Sequence, residues 1–202
     1  MPRLTLVSIL LGSILLVTAC GPSTQHGTVN GIAYDVAGAG PIVVLVADSA
    51  GRAVWAKQFA ALAKSFEVVQ YDPADGLAAV LDHLHIAKTT LIALGAGAGP
   101  AIDVTLAHPD RIEGLVLVSP HLAATHGALG DLKTPMLLIV GTHGDSAAGL
   151  GVDSLRAHVG GVATITMPGA GHQVNVDKAP SFNRVVAEFL FKLHPEAAPH
   201  RS

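Results

Sequence analysis

Residues 91–100, LIALGAGAGP, decide how this chain is read. An apolar run, Leu91 to Leu94, ends in Gly95-Ala96-Gly97-Ala98-Gly99 and Pro100. Such a run bounded by glycines reads as a buried strand that turns tightly into a helix. Pro100 is tolerated in the first turn of that helix. Two kinds of loop fit this setting, a phosphate cradle and a nucleophile elbow. The dinucleotide fingerprint G-x-G-x-x-G needs a glycine where Pro100 stands, and the next strand, closing in LVLVSP, ends in no acidic residue. No Gly-Lys-Ser/Thr follows either, so a Walker loop is not formed. The order strand, G-x-nucleophile-x-G, helix accounts for more of the stretch. On that pattern Gly97 takes the nucleophile's place.

Outward from this loop the chain alternates between two periodicities. PIVVLVAD (41–48), FEVVQYD (66–72), KTTLIALG (88–95), EGLVLVSP (113–120), TPMLLIVG (134–141) and ATITMPG (163–169) read as strands. Between them, AVWAKQFAALAK places Trp55, Phe59 and Leu62 on one helical stripe, and DGLAAVLDHLHI aligns Leu77, Leu81 and Leu84. PAIDVTLAHP, DSLRAHV and APSFNRVVAEFLFKL are the remaining helices, and TVNGIAYDVAGAG (28–40) is a hairpin. Alternating strands and helices imply βαβ units and a doubly wound, mostly parallel sheet.

Composition agrees. Of 202 residues half are hydrophobic, 13% charged and only 4% aromatic. A core of Val, Leu, Ile and Ala suits a sheet buried on both faces, and the length suits one domain. The net charge is −3 and no Lys/Arg cluster is present, which excludes a nucleic-acid footprint. Of the eleven histidines, His121, His126 and His143 fall with His172 at one sheet edge, and His83 and His85 flank Leu84. None has ligand spacing, so no metal or other cofactor is expected.

The first residues read as an export signal. Met1-Pro2-Arg3 carries one positive side chain, LTLVSILLGSILLV is an apolar run short for a membrane span, and VTAC ends at Cys20. V-T-A-C resembles the bacterial lipobox, which implies a lipidated Cys20. That residue is the chain's single cysteine, so it can form no internal disulfide. A plain cleaved signal with a chance cysteine is the alternative. The resulting division is a lipoprotein signal over 1–19, a tether over 20–27, a domain over 28–195 and a disordered tail over 196–202. The expected location is the extracytoplasmic face of a membrane, held by the lipid on Cys20.

LIALGAGAGPAIDVTLAHPDRIEGLVLVSP, TPMLLIVGTHGD and MPGAGHQVNVDKAPSFNRVVAEFL together resemble the α/β-hydrolase superfamily, in that family's order of nucleophile, acid and histidine. The resemblance covers nearly everything after the tether. It implies His172 as the base and Asp145 as the acid that orients it, with Gly97 a vacated nucleophile position. It places an oxyanion hole around Ala98 and the loop Ala47-Asp48-Ser49-Ala50-Gly51, where a His-Gly pair is usual. A carboxylate at Asp48 opposes negative charge there, unless it points to solvent or caps the Trp55 helix. The cap region, HLAATHGALGDLK, is trimmed to almost nothing. Small residues in place of the nucleophile resemble the N-myc downstream-regulated family.

Two functions follow as expectations. In one, the protein is a pseudo-hydrolase that binds a small apolar ligand or a protein. In the other it is an enzyme, in which His172 and Asp145 activate water or abstract a substrate proton.

Overall fold

The computed structural model describes residues 23–72, 76–122, 128–143 and 146–199, the side chains of 146–148 excepted. Eight strands form one sheet: β1 (Thr24–Val29), β2 (Ile32–Ala37), β3 (Ile42–Val46), β4 (Glu67–Asp72), β5 (Thr89–Leu94), β6 (Ile112–Val118), β7 (Met136–Gly141) and β8 (Ala163–Met167). Their spatial order is β1-β2-β4-β3-β5-β6-β7-β8. Strands β3 to β8 run parallel, and β2 is antiparallel to both of its neighbours, β1 and β4.

The strands read as unbroken apolar runs because both faces of the sheet are covered. Val44, Leu91, Leu115, Leu117 and Leu138 pack on one side with α2 (Leu77–His83), α3 (Ala98–Ala107) and α4 (Ser146–His158). Val43, Leu45, Ile92, Val116 and Ile139 pack on the other with α1 (Ala56–Leu62), α5 (Val174–Asp177) and α6 (Ala179–Leu193). Odd and even positions of one strand therefore feed two different cores. This is the doubly wound, mostly parallel α/β sheet expected.

Two local readings change. The stretch read as tether enters the sheet, with Thr24–Gly27 paired to Ala37–Tyr34. Three of those four residues are exposed and none is strongly apolar, so no hydrophobic alternation marked the strand. Trp55 is buried but closes a 3-10 turn, Arg52–Trp55, ahead of α1. The connection from Val118 to Met136 holds a single 3-10 turn, Leu129–Asp131, among its described residues. At the other end of the chain, Pro195–Ala197 form a 3-10 turn, and Ala197 packs on the α6 core.

Candidate functional site

All the parallel strands deliver their carboxyl ends to one edge of the sheet, and three loops meet there. The loop after β3 carries Asp48. Its Oδ1 accepts the Ala50 N–H at 2.8 Å and its carbonyl accepts the Gly51 N–H at 3.1 Å, which closes a tight turn. Its Oδ2 lies 3.0 Å from Nε2 of His172, on the loop after β8. An ionised carboxylate only accepts, so Nε2–H is the donor of this bond. The Asp48 side chain is 10% exposed and that of His172 24%, so water competes little for either. The ring of His121, on the loop after β6, lies 4.7 Å from the His172 ring at a tilt of 41°. The His121 backbone N–H donates to the Gly95 carbonyl at 3.0 Å. Three loops and two ring systems thus converge on the end of β5.

The residue they converge on is Gly95. It has φ +54°, the left-handed region open to glycine and strained for other residues. A Cβ placed there would lie 2.8 Å from Asp48 Oδ2 and 2.9 Å from His172 Nε2. Gly97 is different. Its φ of −63° is helical, and a Cβ there would meet the backbone carbonyls of Ala47 at 2.8 Å and Val46 at 3.0 Å. The structure therefore brings His172 to Gly95 and not to Gly97. The motif misleads because it holds overlapping G-x-G pairs. Centred on Gly95, the flanking small residues are Ala93 and Gly97, and alanine fills the place where a glycine was sought.

Other expected members fall as follows. Asp145 lies outside the described residues, as does His126. Asp48 neither points to solvent nor caps the Trp55 turn, whose N-cap is Gly51 with no side-chain cap bond; its carboxylate instead faces His172. The Ala98 N–H bonds to the Ala96 and Gly95 carbonyls and is used up inside the helix. Ser49 is exposed on its loop. His143 is exposed, and no group of three or more His, Cys, Asp or Glu among the described residues is placed to hold a metal ion.

An amide network that the sequence reading missed joins the segments that follow these two loops. Gln58 and Asn175 are both fully buried. Gln58 Nε2 donates to the Asn175 carbonyl at 2.9 Å and to Asn183 Oδ1 at 2.8 Å, and Asn175 Nδ2 donates to the Val54 carbonyl at 2.9 Å. These bonds tie the segment after Asp48 to the segment after His172. The Gly171 N–H adds a bond to Asp177 Oδ2 at 2.8 Å, fixing the histidine loop on α5. The one sequence signal for this network was a Gln and an Asn at otherwise apolar helix positions, which buried polar groups satisfy in pairs.

Comparison with known proteins places this geometry on a known scaffold. The sequence profile of the Ndr family matches residues 41–133. The RutD protein of Caulobacter vibrioides, named as a carbamate hydrolase, is 34% identical over 118 aligned residues, covering 46% of this chain and 44% of that protein. The chain thus spans less than half the length of the curated relatives it matches. Among solved structures, a CIB-like hydrolase of Thermoplasma acidophilum superposes with a TM-score of 0.75 at 20% identity, over 84% of this chain and 99% of that one. The enol-lactonase of Burkholderia xenovorans gives 0.69 at 21% identity, over 82% and 99%. The fold is that of the α/β-hydrolase superfamily.

Proposed function

We propose that this protein is an extracytoplasmic lipoprotein, held at Cys20, whose hydrolase-type site binds a ligand and performs no serine-type acyl transfer. The observation that carries this reading is the pairing at Gly95. The backbone position that faces His172 has no side chain, so it offers no oxygen to attack a carbonyl. The imidazole nitrogen beside Gly95, the one that would take a nucleophile's proton, is hydrogen-bonded to the Asp48 carboxylate instead. A carboxylate beside this position also opposes the negative charge of an acyl-transfer intermediate. Carbamate hydrolysis, the activity in RutD's name, would require an imidazole nitrogen of His172 to accept a proton from water, and the Nε2 beside Gly95 is engaged with Asp48.

The test is covalent labelling with a fluorophosphonate probe. The wild type is expected to give no adduct. Gly95→Ser combined with Asp48→Ala, which makes room for the new hydroxyl, is expected to be labelled at residue 95, and adding His172→Ala should abolish that labelling. A wild type labelled at one of its own serines, or hydrolysing esters in a manner that His172→Ala removes, would overturn the non-catalytic reading. Fatty-acid labelling that is unchanged by Cys20→Ser would overturn the lipoprotein part alone.

A further inference from the structure

The chain enters its sheet at the end opposite the site. Thr24 pairs with Ala37, Ala37 with Val68, Val68 with Val43 and Val43 with Thr90, so Thr24 stands level with the start of β5. Strand β1 is antiparallel to β2, which is antiparallel to β4, so β1 points the same way as the parallel strands. Its first residue is therefore at their amino ends. Gly95 lies five residues further along β5, about 16 Å away at ~3.3 Å per residue. Cys20 precedes Thr24 by four residues, a reach of at most about 14 Å even when fully extended.

From these distances we infer that the anchored chain stands on the amino ends of its strands, with the Gly95–His172–Asp48 site directed away from the bilayer. The site's ligand is then a water-soluble molecule arriving from the aqueous side, and membrane lipid is excluded. This inference rests on the lipidation of Cys20. A tether this short keeps the base of the sheet at the headgroups and lifts the site above them.

The experiment uses the full acylated chain in phosphatidylcholine–phosphatidylglycerol vesicles that contain a nitroxide-headgroup lipid. Cys20 is the only cysteine, and lipidation consumes its thiol, so an introduced cysteine is the single site for a fluorophore. Lys133→Cys marks the base, just before β7, and His143→Cys marks the site end, just after it; both positions are exposed. Quenching several-fold stronger at 133 than at 143 is the expected result. Equal quenching, or stronger quenching at 143, with the protein still floating with the vesicles, overturns the orientation and leaves the lipoprotein reading intact. A chain that does not float, and behaves like its Cys20→Ser variant, overturns both.

Discussion

Gly95 and Gly97 are two residues apart, and a side chain added at each would meet opposite surroundings. At Gly95 it would meet the ends of two side chains, Asp48 and His172, which can move. At Gly97 it would meet the carbonyl oxygens of β3 and the residue after it, which cannot move without shifting the strand. Gly97→Ser is therefore expected to cost about 1–3 kcal/mol through overpacking, and to acquire no reactivity toward a fluorophosphonate. Urea denaturation and probe labelling of the single variant check both halves. A stable, labelled Gly97→Ser protein would return the nucleophile position to residue 97. Asp48 is the other residue whose role changed. Its expected effect on an oxyanion stands beside a second one that the fold adds, a hydrogen bond to Nε2 of His172.

At the scale of elements, the strand pair β1–β2 is fastened to the loop that carries Asp48 by charge. Asp35, on β2, is 10% exposed in its side chain; it lies 2.6 Å from His26 Nδ1 on β1 and 3.1 Å from Arg52 Nε, and accepts Gln70 Nε2 at 2.9 Å. Arg52 continues to Asp72 at 3.2 Å, and its backbone N–H also donates to Asp72. Burial raises the Asp35 carboxyl, but the hydrogen bonds from His26 and Gln70 and the nearby Arg52 guanidinium outweigh it. They hold the group below the ordinary carboxylate value. A carboxyl depressed in the folded state contributes stability that is fully present above the unfolded value of about 3.9 and is lost as pH falls through the folded one. Asp35→Asn is thus expected to cost about 1–3 kcal/mol at neutral pH, a figure kept modest because His26 and Arg52 are solvent-exposed in part. The difference from wild type should shrink below pH 4, as chemical melts across pH 3–7 would show. A constant difference over that range would mean that the carboxylate's charge is not what fastens the strands.

For the whole molecule, stability rests on the central strands sharing two cores. Val116, fully buried in β6, sits beside Ile92 of β5 and Leu137 of β7, in the core capped by α6. Val116→Asp places a carboxylate there without a partner, and is expected to destabilise the fold by several kcal/mol or prevent folding. A thermal melt unchanged from wild type would contradict the burial of this strand. The same rigid sheet explains how two loops 124 residues apart in sequence are brought within a hydrogen bond. Gln58 and Asn175 complete the connection by tying together the segments that follow each loop.

By itself the sequence determined the fold class, the succession of strands and helices, the glycine turn after β5 and the histidine loop. All of these are written in local periodicity, because a strand buried on both faces must be apolar throughout and a tight turn must be glycine-rich. Its local pattern did not reveal the strand at Thr24–Gly27, since an exposed edge strand needs no apolar alternation. Only the tertiary structure decided which glycine faces His172 and that Asp48 meets its Nε2. Both depend on the backbone angle at Gly95 and on the strand order that sets β3 beside β5, and long-range packing fixes these where neighbouring residues leave them open.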